Sequence, residues 1–168
     1  MRWVWIDRIV SLERGARCVT IKNVSLAEEV LHDHFPAEAG RAAMPVLPAT
    51  LIIEGMAQTA GILVGHARDF REKVILAKIG KASFTALAPP GTTLRFHATL
   101  DRIDDSGAAT SGLVERIDPA SGEVRPLASI ELMFSHIDQN RSGLAFPEHN
   151  FVFTGQIMEL LRQSGFQR

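Results

Sequence analysis

HFPAEAGRAAMPVLPATLIIEGMAQTAGILVG spans His34–Gly65, and its second half is almost continuously apolar. Pro48 suits the first turn of a helix, because the N–H that proline lacks would have no intrahelical partner there. No further proline occurs before about Phe70. The sequence therefore predicts a helix of ~20 residues, which would be ~30 Å long.

Three polar residues, Glu54, Gln58 and His66, interrupt the apolar run of this helix. The run is therefore shorter than the ~20 apolar residues that a membrane span requires. A helix that is apolar on nearly all sides without crossing a membrane is normally buried. We predict a buried central helix and no membrane insertion.

The exceptions within the helix share one face. Glu54, Gln58, Gly61 and Gly65 follow a spacing of four, three and four residues, which places them in one row. The glycines would allow another backbone to approach closely. A carboxylate in a buried helix must be paired, and hydrogen bonding by Gln58 would give Glu54 a purely structural role.

The loop before the helix suggests chemistry instead. Three prolines hold it extended from His34 to the helix. The free amides of a helix N-terminus, here those of Ala49, Thr50 and Leu51, favour negative charge. A histidine, these amides and the carboxylate of Glu54 are the groups that acid–base chemistry on a carbonyl compound requires.

The motif HFP…MPVLPATLIIEGMAQTAG resembles the β-hydroxyacyl-[acyl-carrier-protein] dehydratases, whose pattern is H-F-P-G-x-P-V-M-P-G-x-L-x-x-E-A-x-A-Q. Segments around Asp7-Arg8-Ile9, around Ile21–Ser25 and in LAKIGKASFTALAPPGTTLRF are also similar to the family. The resemblance covers roughly residues 5–137. It implies a hot-dog fold, in which an antiparallel sheet wraps a central helix and two protomers share their active sites.

The resemblance also implies the roles of individual residues. His34 is the expected base, and Glu54, from the other protomer, orients or protonates the departing hydroxyl group. The amide of Ala49 or Thr50 is expected to polarise the thioester carbonyl, and Gln58 is expected to contribute to substrate binding. An acyl thioester is the expected substrate, with an acyl carrier protein as partner, a homodimer or trimer of dimers as the assembly, and neither cofactor nor metal.

This chain departs from the family pattern in two places. The interval from His34 to Glu54 is about six residues longer, and the excess lies in AEAGRA. Ala37 and Ala49 replace the two motif glycines, which keeps the amide N–H but removes easy access to positive φ. If the extra residues bulge outward, His34 still reaches the amide end of the helix.

Composition and charge exclude several classes of protein. The 168 residues suit one domain, and the formal net charge of −1 argues against nonspecific nucleic-acid binding. Cys18 is the single cysteine, which excludes an internal disulfide and fits a cytoplasmic protein. Its apolar strand neighbours predict a small buried hydrophobe rather than a nucleophile. His32 and His34 lack the further clustered ligands that a metal site would need.

The rest of the chain predicts strands joined by short turns. A hairpin is expected over Val4–Leu12 and Ala16–Val24, followed after the helix by strands at Val74–Ala82, at 94–100, at Ala108–Ile117 and at Val124–Ile137. Several strands around one long buried helix predict an α+β fold with an antiparallel sheet. We expect one hot-dog domain over residues 1–138. A C-terminal extension, residues 139–168, would carry a short helix at Gln156–Gln163 and pack on the domain or on a neighbouring protomer.

Two alternatives to the dehydratase remain open. A hot-dog thioesterase would use a helix carboxylate and amide polarisation to activate water, although that chemistry does not need the histidine. A non-catalytic acyl-binding protein would result if the longer loop displaced His34. Both alternatives predict that replacing His34 has little effect.

Overall fold

The computed structural model describes residues 3–137 and 149–166. One long helix packs against one six-stranded sheet, and a short helix from the C-terminal extension packs beside them. The elements in chain order are β1 Arg8–Glu13, β2 Arg17–Asn23, α1 Glu29–His32, α2 Ala49–Ala67, β3 Val74–Phe84, β4 Thr93–Ile103, β5 Gly107–Ile117, β6 Val124–His136 and α3 Gly155–Gln163.

All neighbouring strands of the sheet are antiparallel, in the order β1-β2-β4-β5-β6-β3. Helix α2 contacts every strand from β2 to β6, so the sheet curves around it. This arrangement confirms the predicted α+β hot-dog fold. It leaves β1 and β3 as the edge strands of a single chain.

Small residues allow helix α2 and the sheet to pack closely. Gly55 lies against the ring of Phe96 in β4, where a Cβ atom would stand 2.5 Å from the ring. In the same way, Met56 occupies the space above Gly112 of β5. Most of α2 is buried, as predicted, and its apolar residues form the core with the inward side chains of the strands.

The absence of proline had suggested that helix α2 continues to about Phe70. In the structure the helix ends at Ala67. Asp69 and Phe70 both adopt the left-handed backbone conformation, with φ 55°. The amide of Phe70 donates to the carbonyl of Gly65, which is a typical way of satisfying the last helical carbonyls. Arg14 adds an ion pair with Asp69 (2.8 Å). Tertiary contacts thus set the end of the helix.

The predicted hairpin is present, but its first strand begins at Arg8 instead of Val4. The turn uses Gly15 at φ 67°, a conformation that glycine adopts without strain. The segment that contains Trp3 and Trp5 contacts Gln58 of helix α2 instead of pairing in the sheet. Strand β2 buries Cys18 completely, and burial raises the pKa of its thiol to about 12, so this residue is a core hydrophobe as predicted.

The C-terminal extension contacts the domain of its own chain. Ile157 and Leu161 of α3 are fully buried, and the amide of Ile9 donates to Ser164 Oγ (3.2 Å). Helix α3 begins one residue before the predicted start and is followed by Gly165 at φ 83°. The boundary predicted at residues 138 and 139 lies outside the described residues. No helix in the described part of the chain is long and apolar enough to cross a membrane.

Candidate active site

Glu54 lies in the second turn of helix α2, and Gln58, one turn further along the helix, holds its side chain. Gln58 Nε2 donates to Glu54 Oε1 at 2.8 Å. The Gln58 side chain is 2% exposed, whereas Glu54 is only partly buried. The hydrogen bond that the i, i+4 spacing suggested is therefore present, and it fixes one oxygen of a carboxylate that is otherwise open to a ligand.

The N-terminal segment fixes Gln58 in turn. The second N–H of Gln58 Nε2 donates to the carbonyl of Trp3 (3.1 Å), and Gln58 Oε1 accepts from the amide of Trp5 (2.8 Å). All the polar atoms of Gln58 are thus engaged within the chain. This contact also explains why β1 starts late, because Trp3 and Trp5 lie along α2 rather than in the sheet.

An apolar cavity of about 100 Å³ lies beside Glu54. Helix α2 contributes Glu54 and Gly61 to it, and the sheet contributes Leu76 of β3 and Phe134 of β6. The C-terminal extension closes it with side chains that include Phe153. The carboxylate therefore stands at the wall of a space that suits a hydrocarbon chain.

The N-terminus of α2 presents two amides on an exposed surface. Ala49 and Thr50 are exposed, whereas the amide of Leu51 donates back to the Pro48 carbonyl (3.0 Å). The prediction of a free amide at Leu51 is therefore wrong, because the first turn is tightened. Glu54 lies four positions after Thr50, which is a rise of roughly 6 Å on the same face of the helix.

His34 follows helix α1 and lies outside the cavity of Glu54. It lines a separate, open groove together with Leu26, Ala27 and Leu31. His34 Nδ1 is 2.8 Å from the carbonyl oxygen of Leu31. A carbonyl can only accept, so Nδ1 is the donor in this contact, and Nε2 takes no part in it. Within the described residues, no group of three or more potential ligands is placed to hold a metal.

The insertion between His34 and Glu54 folds back on itself. The amide of Met44 donates to the carbonyl of Phe35 (3.0 Å), and Glu38 and Arg41 exchange two backbone hydrogen bonds (2.9 and 3.0 Å). The extra residues thus form a small exposed hairpin whose two ends meet. Beyond it, the amide of Leu47 donates to the carbonyl of Ala88 (2.9 Å), which anchors the approach to α2.

The structure brings some of the predicted site residues together in one chain. Thr50, Glu54 and Gln58 share one face of α2, and Ala49 adjoins them, but His34 lies on another surface. The roles predicted for these residues stay predictions. Sequence reasoning missed Phe153 as part of the cavity wall and the anchoring of Gln58 by the N-terminal segment. The aromatic residues around Phe153 were the only available signal for the former.

Comparison with known proteins places the chain in a family. Residues 2–116 match the model of the FabA-like domain. A 3-hydroxyacyl-[acyl-carrier-protein] dehydratase FabZ from Caldanaerobacter subterraneus subsp. tengcongensis is 36% identical over 130 residues, which cover 77% of this chain and 84% of that protein. The chain belongs to the FabA-like dehydratase family. The predicted family resemblance is thereby confirmed.

A second relative agrees with this assignment. A FabZ dehydratase from Solibacter usitatus is 35% identical over 145 residues, covering 85% of this chain and 82% of the relative. Among solved structures, a thioesterase family protein from Silicibacter pomeroyi matches with a TM-score of 0.60 at 16% identity, covering 77% of this chain and 82% of that one. At this identity the similarity shows a shared fold and no more.

Proposed function

We propose that this FabA-like protein dehydrates 3-hydroxyacyl thioesters to trans-2-enoyl thioesters. The observation that carries the proposal is the setting of Glu54, a carboxylate fixed by Gln58 at the wall of an apolar cavity. Such a site can hold a hydroxyl group at the carboxylate and a hydrocarbon chain beside it. Its relatives, named as 3-hydroxyacyl-[acyl-carrier-protein] dehydratases, support the same reaction.

In the proposed reaction His34 removes a proton from C2 and Glu54 assists the departure of the C3 hydroxyl group. The C2–H electron pair forms the C2=C3 double bond while the C3–O bond breaks, and the oxygen leaves as water with the proton of Glu54, which enters this step as the carboxylic acid. The proton taken up by His34 then returns to Glu54 through solvent. The Leu31 carbonyl engages Nδ1 of His34 and leaves Nε2 as the nitrogen that would accept the C2 proton in the neutral imidazole. A positioned acid–base pair contributes roughly 10²–10⁴ in rate.

Charge also develops on the thioester oxygen during proton removal. The amides of Ala49 and Thr50 stand at the exposed N-terminus of α2, where the helix dipole favours negative charge. We assign them to polarise this oxygen, which would contribute about 3–4 kcal/mol to lowering the barrier. Gln58 acts here as a positioning residue, since its polar atoms are all used to hold Glu54 and the N-terminal segment.

The active site in this proposal is shared between two protomers. His34 and Glu54 line different cavities of one chain, so the catalytic pair would form between chains. Strand β3 offers the surface, because it is a sheet edge whose residues 77–82 are exposed, with Ile79 45% exposed. An open edge of this kind pairs readily with a second copy of itself. A homodimer, alone or within a trimer of dimers, is the proposed assembly.

Surface cations support a carrier protein as the bearer of the substrate. Lys78 and Lys81 lie on β3 with exposed side chains. Pairing at the sheet edge uses the backbone, whereas these side chains stand out of the plane of the sheet and can steer an acidic acyl carrier protein. Arg41 is less available, because it pairs with Glu38 (3.2 Å) and lies over the ring of Phe35. We propose the two lysines as the docking charges.

A thioesterase is the second candidate, and one observation favours it. A single chain offers Glu54 and the amides of α2 without His34, which is the set of groups that could activate water on a thioester. The two reactions differ in their products. A dehydratase yields an enoyl thioester and no free thiol, whereas a thioesterase yields a free thiol.

The test is an assay of 3-hydroxybutanoyl pantetheine that follows enoyl absorbance and free thiol together. His34→Ala and Glu54→Gln should each abolish enoyl formation while the fold is retained, and His32→Ala, two residues earlier, should have little effect. Thiol release that survives His34→Ala but is lost in Glu54→Gln would establish the thioesterase instead.

Mixing the two inactive variants tests the shared site. After unfolding and refolding in equal amounts, half of the dimers would contain one chain of each kind, and each of these would have one intact site of two. About a quarter of the native activity should therefore return. No recovery would refute a site built from His34 of one chain and Glu54 of the other.

A further inference from the structure

The cavity beside Glu54 owes part of its wall to the C-terminal extension. Val152, Phe153 and Ile157 line it from that side, opposite the face of α2 that carries Glu54 and Gly61. These three side chains belong to none of the family motifs, and they lie beyond residues 2–116, which match the family model. The wall is therefore a feature of this chain's own extension.

Specific contacts hold this wall in place. Asn150 Nδ2 donates to the carbonyls of Phe70 and Glu72 (3.1 Å each), just after the end of α2. Its Oδ1 accepts from the amides of Val152 and Phe153 (3.0 and 3.2 Å). A single side chain thus fixes both where the extension attaches and how its backbone turns into the cavity.

Phe153 closes the end of the groove along α2. Its ring lies directly over Gly65, where a Cβ atom would overlap it, and it meets the ring of Phe70 edge to face at 4.9 Å. The sequence had suggested that a backbone approaches the helix at Gly65; in the structure the ring of Phe153 occupies that space.

The volume of the cavity limits what it can hold. A closed apolar cavity of ~150 Å³ takes up benzene, with its six carbon atoms. By the same ratio, the space of about 100 Å³ beside Glu54 holds ~4 carbon atoms. Space of this size accommodates a short alkyl chain and excludes a long one.

We propose that the C-terminal extension sets the acyl-chain length of this enzyme, with Phe153 as the stop. The inference rests on the proposed function, since it takes the cavity beside Glu54 as the acyl site. The substrate class is then a short-chain 3-hydroxyacyl thioester with no more than ~4 carbon atoms beyond C3. Gly61 sets the width of the same cavity midway along the helix.

Two substitutions should change this limit in opposite directions. Phe153→Ala removes the stop and should admit longer chains. Gly61→Ala adds a methyl group inside the cavity, and the space is open to it, because the nearest atom to that position is a ring carbon of Phe134 at 3.8 Å. Met158→Ala is the matched control, since Met158 also belongs to the packed part of the extension but does not line the cavity.

Calorimetric binding of butanoyl, hexanoyl and dodecanoyl pantetheine measures the limit without turnover, because these ligands carry no 3-hydroxyl group. The native protein should bind the hexanoyl ligand more tightly than the dodecanoyl ligand. Phe153→Ala should tighten dodecanoyl binding at least tenfold and leave butanoyl binding unchanged, since each newly buried methylene is worth roughly fourfold. Gly61→Ala should weaken hexanoyl binding and spare butanoyl binding.

Equal affinity of the native protein for hexanoyl and dodecanoyl ligands would overturn the proposal. It would also be overturned if Phe153→Ala left the ratio of hexanoyl to dodecanoyl affinity unchanged, or if Met158→Ala changed that ratio as much as Phe153→Ala does. If Phe153→Ala does not fold, Phe153→Leu keeps an apolar side chain there and should still raise dodecanoyl affinity. If binding shows the expected chain-length limit but 3-hydroxyhexanoyl pantetheine yields no enoyl product, only the proposed reaction is refuted. If enoyl product forms but binding shows no chain-length limit, only the role of Phe153 as the stop is refuted.

Discussion

Replacing Gln58 by glutamate would place a second carboxylate against Glu54 without changing the size of the side chain. The native amide nitrogen stands 2.8 Å from Glu54 Oε1 and also donates to the carbonyl of Trp3. In the variant, two carboxyl oxygens would meet at the first of these contacts, and the Trp3 carbonyl would lose its donor. The contact from the Trp5 amide would survive, because an oxygen remains to accept it.

The cost of this variant depends on pH. Two carboxylates in contact cannot both stay ionised, so the pair must share a proton. An ordinary glutamate ionises at about pH 4.3, and each pH unit is worth ~1.36 kcal/mol, so binding this proton near pH 8 costs up to ~5 kcal/mol. Near pH 5 the same proton costs only ~1 kcal/mol. We expect Gln58→Glu to lower the free energy of unfolding by about 3–5 kcal/mol near pH 8, including the lost hydrogen bonds.

The sign of the pH dependence follows from the shared proton. The folded variant binds it with a raised pKa, whereas the unfolded chain releases it at the ordinary value. The variant should therefore regain stability as the pH falls, by at least ~2 kcal/mol relative to the native protein between about pH 8 and pH 5. Urea unfolding at the two pH values measures this difference.

An exchange of the two side chains is the matched control. Glu54→Gln combined with Gln58→Glu restores an amide facing a carboxylate, so stability and its native pH profile should return. Activity should not return, because the carboxyl group would be removed from its place at the cavity. A Gln58→Glu variant with native stability near pH 8, or a double variant with native activity, would refute the assigned arrangement.

Three further predictions concern the core and its ionisable groups. Gly55→Ala should lower the free energy of unfolding, measured in urea, by about 1–3 kcal/mol, because the new Cβ atom would press on the buried Phe96 ring. Gly61→Ala should not lower it, because the space around Gly61 is open, and an equal loss of stability in both variants would contradict the packing argument. Cys18, with a pKa raised to about 12 by burial, should react with a thiol reagent at neutral pH only after unfolding, and rapid labelling of the native protein would contradict its burial. Burial lowers the pKa of His66 below its ordinary value of 6.5, so the stability of the native protein should fall as the pH drops through and below 6.5. His66→Gln should flatten this dependence of stability on pH, measured by urea unfolding, and parallel pH profiles of the two proteins would contradict the assignment.

The sequence predicted the fold well because its signals were local. The proline at the start of α2, the long apolar run and the alternating pattern of β4 each depend on neighbouring residues alone. The errors fall where distant contacts decide. Strand β1 starts late because Trp3 and Trp5 bond to Gln58, and α2 ends early because Arg14 and left-handed residues terminate it.

The candidate site was predicted less completely, for a physical reason. Helical spacing placed Glu54 and Gln58 on one face, and the hydrogen bond between them is present. The position of His34 depends on a loop whose course no local rule specifies. The contribution of Phe153 depends on where a distant extension docks, which in this structure is decided by Asn150 at the end of α2.

The insertion before α2 adds residues to the loop without lengthening the path between its ends. Its ends are joined by the backbone hydrogen bond between Met44 and Phe35, so the extra residues form a side hairpin instead of lengthening the path. The amide of Leu47 then donates to the carbonyl of Ala88, and helix α2 begins two residues later at Ala49. A loop closed in this way costs little more entropy than a shorter one. The longer interval between His34 and Glu54 is thus compatible with the catalytic pairing proposed above.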